Sequence, residues 1–176
     1  MTKPPLVIIS RKFIEQVAMP LFEEGLKKKQ ERAFALFGSF SKDRIEIKSW
    51  KKVSEKDCGH DYFLHSIPKR KDLLGYLHTH PALKQRGHVS YKFCKTWLSE
   101  GDYSEMTKRR EKICGICVLP IDHLKYGIIQ AAIVFWGIGY PILLSIKSDD
   151  IFSPHVGLQL HRFSKNKWKI MSIEKF

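Results

Sequence analysis

The chain has 176 residues, 43% hydrophobic and 28% charged, which is ordinary for one globular domain with its own core. Its 31 Lys and Arg against 18 Asp and Glu give +13, spread along the chain rather than held in one tail, a field that favours nucleic acid, acidic protein faces or anionic lipid as partners. Four irregularly spaced cysteines, Cys58, Cys94, Cys114 and Cys117, exclude a disulfide framework, and "PLVIIS" is too short an apolar run for a signal peptide, so a reduced, cytoplasmic protein is expected.

In chain order, Leu6 to Ile9 suggests a first strand, after which Ser10 can cap a helix with apolar residues at helical spacing from Phe13 to Phe22. Pro20 predicts a kink or an early stop in that helix. "RAFALFGSF" and "RIEIKSWKKV" read as adjacent strands turning at Ser41-Lys42-Asp43, and "DLLGYLHTH" as the next strand. A second helix is expected over Asp102 to Lys112, with Ser99 near its start, followed by the strand "KICGICVL". Tyr126 to Ile146 is an uncharged run of 21 residues, long enough to span a membrane. Gly137, Gly139 and Pro141 interrupt it, and the β-branched and aromatic halves favour two buried strands joined by a turn. "GLQLHRF" and "KWKIMSI" make a closing pair around Ser164-Lys165-Asn166. The sum is a mixed α/β domain over residues 1–176, a central mixed β-sheet flanked by helices.

Chemistry concentrates at "YLHTHP", Tyr76 to Pro81. Residues i and i+2 of a strand share a face, with Cα atoms roughly 6.5 Å apart. His78 and His80 can therefore both reach one Zn²⁺ at about 2.0–2.1 Å. Pro81 ends the strand or confines it to an edge, leaving the pair near an open surface. A catalytic zinc site needs a third protein ligand and an open position. Ser99 and Asp102, in the pattern Ser-x-x-Asp at a helix head, offer a carboxylate that the helix N-terminus favours. Taken alone, the same pair reads as an ordinary helix cap.

His-Thr-His-Pro followed by Ser-x-x-Asp resembles the signature of the JAMM/MPN zinc peptidases. That family also carries a glutamate upstream, on a strand leading to a glycine, and "QERAFALFG" supplies Glu31 before Gly38. The spacing departs from the family's commonest form: 17 residues, Ala82 to Leu98, separate Pro81 from Ser99. Ser90 lies nearer, but Phe93 three residues on cannot bind zinc, so Ser99 and Asp102 are the candidates and about 82–98 is an insertion. The resemblance implies a single MPN-like (cytidine-deaminase-like) domain with one zinc ion, Zn2+, held by His78, His80 and Asp102 together with a water. Glu31 would be the general base, and Ser99 would stabilise the oxyanion.

Further implications follow by analogy with the stand-alone bacterial members. They are cleavage after the C-terminal tail of a ubiquitin-like protein, in deconjugation or precursor processing, with activating and conjugating enzymes as associates, notably in antiviral defence. The charge of +13 keeps two other readings open: a zinc hydrolase acting on another bond or on nucleic acid, and a non-catalytic MPN-like scaffold or nucleic-acid-binding module. The basic, aromatic insertion is expected to wall or cover the cleft. Cys114 and Cys117, at i and i+3 of a strand, are expected to be buried on opposite faces rather than paired for metal. His60, His65, His88, His123, His155 and His161 form no comparable set, and His60 and His65 read as surface or loop residues.

Overall fold

A computed structural model of the chain describes residues 5–27, 30–59, 62–80, 99–118, 129–137, 140–142, 144–147, 158–164 and 167–172. Strand β1 (Leu6–Ser10) alternates inward Val7 and Ile9 with partly exposed neighbours. Ser10 then caps a helix, its Oγ accepting the Phe13 N–H at 3.1 Å. The helix runs as α1 (Arg11–Phe13), a π-helical turn (Ile14–Ala18) and α2 (Met19–Lys27). Of the kink or early stop expected at Pro20, the early stop does not occur: the helix passes through Pro20, with a π-helical irregularity just before it. The wide turn, in which the Met19 N–H donates to the Ile14 carbonyl, stands just where a proline ring would otherwise crowd the preceding carbonyls.

Strands β2 (Ala33–Phe40) and β3 (Arg44–Lys52) form the expected antiparallel pair, and β4 (Leu73–His80) lies against β2. Helix α3 (Glu100–Arg109) starts two residues before the expected Asp102 and ends three before Lys112, because Arg110 turns left-handed (φ 56°) and closes it. Strand β5 (Ile113–Val118) returns parallel to β4. Among its described residues the long apolar run holds three strands rather than two: β6 (Ile129–Gly137), β7 (Tyr140–Ile142) and β8 (Leu144–Lys147). β7 folds back on β6, whereas β8 pairs in parallel with β1 at the far side of the sheet. No helix among the described residues is long and apolar enough to cross a membrane. Strands β9 (Leu158–Ser164) and β10 (Lys167–Ser172) form the closing antiparallel pair.

Among the described residues these strands make one mixed sheet in the order β10-β9-β6-β5-β4-β2-β3-β1-β8, with β7 beside β6. Period-two alternation splits its side chains between two cores. Phe34, Leu36, Ile45 and Leu77 face the first helix, against Phe13, Ile14, Val17 and Leu21. Ala33, Ala35, Phe37 and Tyr76 face the other way and are covered by Val53, Cys58, Phe63 and Ile67 from the connection between β3 and β4. Burial of each large apolar side chain contributes about 1.5–3 kcal/mol. The first helix thus packs on one face of the sheet, while the second-face residues of β2 and β4 are covered by the β3–β4 connection, which includes a short 3-10 turn (Glu55–Asp57).

Two glycines let strands approach. Gly75 has φ +154°, and a Cβ there would stand 1.8 Å from the Ile113 carbonyl oxygen. At Gly38 a Cβ would meet the Glu46 carbonyl oxygen at the same 1.8 Å. Cys117 is buried in the first core and Cys114 on the opposite face, as their spacing predicted. Pro81, the insertion at 82–98, and His60, His88, His123 and His155 lie outside the described residues.

Candidate metal centre

The C-terminal half of β4 carries both histidines. His78 stands opposite Ala33 of β2 and Ile116 of β5, and His80 opposite Val118. The His78 side chain is fully buried. Its ring packs on Phe63 with centroids 5.0 Å apart, and its Nδ1 lies 3.9 Å from Cys114 Sγ. Its other nitrogen, Nε2, is 3.2 Å from Asp102 Oδ1.

Asp102 reaches His78 from the first turn of α3, and the local sequence fixes its aim. The Ser99 N–H and hydroxyl donate to Asp102 Oδ2 at 2.9 and 2.7 Å, and Ser99 Oγ accepts the Asp102 N–H at 3.1 Å. This is a capping box. The helix-cap reading of Ser-x-x-Asp holds, and it engages one carboxylate oxygen while the other meets the imidazole.

Imidazole nitrogen and carboxylate oxygen are the donor types zinc takes, at about 2.0–2.1 Å each. Two such donors at a tetrahedral angle stand roughly 3.3 Å apart. The 3.2 Å between His78 Nε2 and Asp102 Oδ1 matches one edge of such a site. The described residues contain no assembled group of three or more metal-binding side chains. The third expected donor, the side chain of His80, is not among those described.

Glu31 precedes β2, 7% exposed, its N–H donating to the Gly59 carbonyl at 2.8 Å. Arg32 and Thr79 bind each other twice: the Arg32 N–H donates to Thr79 Oγ1 and the Thr79 N–H to the Arg32 carbonyl, both at 2.9 Å. Continuing that register one step sets Glu31 across from His80. Burial pushes the Cys114 thiol well above its usual range, and the charges of Asp102, Glu111 and Glu31 push it further. Three carboxylates thus act on one point beside His78. Both effects favour the protonated thiol.

The strand start that bears Glu31 is held by Arg32, a guanidinium 1% exposed. It meets Glu24 of α2 at 3.2 Å and Glu55 at 3.7 Å, and donates to Gln30 Oε1 and the Glu31 carbonyl. Glu24 also binds Lys52. Nothing in the spacing of Arg32 marked it as buried; pairing with acids from two other elements makes burial affordable.

His65 was expected to be a surface or loop residue; it lies in the connection between β3 and β4, but its side chain is only 13% exposed. It stacks on Phe63 (4.6 Å) and Tyr76 (4.4 Å), with Nε2 3.8 Å from Glu111 Oε2. Burial, then the charge of Arg109, lowers His65 to about 4. Burial raises Glu111 to about 7, against the pull of Arg109, whose Nε donates to Glu111 Oε1 at 2.9 Å. Glu111 and Cys114 were missed as neighbours of the site because their closeness depends on where α3 ends and on the parallel register of β5 beside β4.

The chain matches no family model and no curated protein sequence.

Proposed function

We propose that the chain is a zinc-dependent peptidase of JAMM/MPN type, a single MPN-like domain that cleaves peptide or isopeptide bonds after the tail of a ubiquitin-like protein. The reading places it in a bacterial ubiquitin-like conjugation or defence system, in the cytoplasm, with activating and conjugating enzymes as associates. The observation that carries the proposal is the meeting of His78 Nε2 and Asp102 Oδ1 at 3.2 Å, from a strand and a helix joined by a long connection. That two residues chosen by motif alone come this close supports the reading. The substrate class rests on the resemblance, since a fold does not fix a substrate.

His78, His80 and Asp102 would hold the metal. When bound, it supplies Lewis acidity, which brings the ionisation of water towards about pH 7 and polarises the scissile carbonyl. Asp102 keeps Oδ2 on Ser99, so α3 fixes the direction of Oδ1. Glu31 accepts a proton from the attacking water and returns it to the leaving amine. The Ser99 hydroxyl serves the developing oxyanion by rotating off Asp102, its present acceptor. An extended substrate tail can lie along a sheet edge and deliver its last carbonyl to this centre.

The test incubates the zinc-loaded protein with fusions of candidate ubiquitin-like proteins, with an EDTA control. Glu31→Gln is expected to keep its zinc while kcat falls by about 10²–10⁴. Undiminished turnover in that variant would remove Glu31 from the mechanism.

A further inference from the structure

We propose that the end of the sheet remote from His78 is a binding face for single-stranded nucleic acid. Two basic clusters that lie forty residues apart in sequence meet there. Lys69-Arg70-Lys71 leads into β4, and Lys108-Arg109-Arg110 ends α3 with Lys112 just beyond. Lys69 Nζ donates to the Arg109 carbonyl at 3.0 Å, and the Lys112 N–H to the Leu74 carbonyl at 2.7 Å. The acceptor of Lys69 is neutral, so that bond fixes the ammonium without cancelling its charge.

Two of the acids close by are already engaged, while Asp43, in the turn after Phe40, is exposed. Asp72 holds Arg70 through two bonds at 3.0 and 2.7 Å, and Glu111 is buried against Arg109. Lys69, Lys71, Arg110 and Lys112 are exposed. Arg110 occupies a left-handed helix end (φ 56°) that ordinarily favours glycine or asparagine, so a cation stands there at a conformational cost.

An aromatic ring distinguishes nucleic acid from an acidic protein as the partner. Phe40, at the end of β2, is 51% exposed, and Lys112 Nζ lies 5.0 Å from its centroid. An exposed ring among cations offers bases a stacking surface and phosphates a counter-charge, the combination that binds single strands. A run of carboxylates would gain nothing from Phe40, and a duplex keeps its base faces covered. At about 3.3 Å per residue, the eight-residue β4 sets this face on the order of 20 Å from His80. Binding here is therefore separable from the peptidase reading.

The test is fluorescence anisotropy with a labelled single-stranded DNA 12-mer, titrated at several salt concentrations. Lys71→Ala/Arg110→Ala/Lys112→Ala should weaken binding at least tenfold at 50 mM salt and flatten the salt slope by about two to three. Phe40→Leu should weaken it severalfold with the slope unchanged. Lys12→Ala/Lys51→Ala/Lys56→Ala, which removes the same charge from exposed positions elsewhere, should bind like the parent chain. Equal losses in the two triple variants, or no binding at 50 mM salt, would overturn the proposal. So would displacement of the DNA by polyglutamate as effective as by unlabelled strand, which would mark an acidic-protein face instead.

Discussion

Asp102 divides its carboxylate between two tasks, capping α3 through Oδ2 and facing His78 through Oδ1. The cap was legible because Ser-x-x-Asp is local. The approach to His78 was legible only through the family motif, since no local signal spans the connection between them. On the opposite side of the same ring, Cys114 Sγ lies 3.9 Å from Nδ1. Partners of a ligand histidine's second nitrogen orient it and typically contribute tenfold or more in metal affinity. Cys114→Val keeps the volume and removes the sulfur, so zinc affinity is expected to fall about tenfold. Equal affinity in a competition titration with a chelator would assign Cys114 to packing alone. The buried carboxyl of Glu111 makes a separate prediction. Its folded pKa of about 7 lies above the ordinary 4.5, so the native chain holds this proton more tightly than the unfolded chain. Its contribution to stability is full below pH 4.5 and is lost as pH rises to about 7. His65 has the opposite sign: lowered to about 4 from 6.5, its contribution is present above 6.5 and lost as pH falls through that interval. Glu111→Gln should remove only the first effect, so urea midpoints of variant and parent should diverge in the variant's favour from pH 4.5 to 7. Parallel profiles would contradict the burial argument.

At the scale of elements, strands with clear alternation were readable. β1 to β5 and the closing pair stand within a few residues of their expected spans, because period-two patterning and turn residues are local. The apolar run at Tyr126–Ile146 was not fully readable: periodicity marks buried strands but not their partners, and β8 crosses to β1. The proline-bearing helix persisted because a π-helical turn absorbed what a strict α-helix would not. The parallel pairing of β4 with β5, which aligns His78 with Ile116, depends on Gly75. Gly75→Ala combines a backbone angle costly for alanine with a Cβ 1.8 Å from the Ile113 oxygen, and should cost about 2–4 kcal/mol by urea unfolding. A loss below 1 kcal/mol would show that the strands separate more easily than this packing implies.

At the scale of the whole molecule, the proposed metal ligands and one gathered set of cations stand at opposite ends of β4. The histidines end β4, and the gathered cations surround its beginning. Composition announced the excess charge but could not say where it collects, because that depends on α3 running back beside β4. Conversely, the proposed metal ligands could be picked out without any fold, since zinc restricts the identities of the side chains that bind it. Zinc K-edge X-ray absorption on the loaded protein tests the central claim most directly. It should show one zinc per chain with nitrogen and oxygen neighbours at about 2.0–2.1 Å, two of them imidazole, and the signal should be lost in Asp102→Asn. Sulfur neighbours at about 2.3 Å, or an unchanged spectrum in that variant, would contradict the assignment of His78, His80 and Asp102.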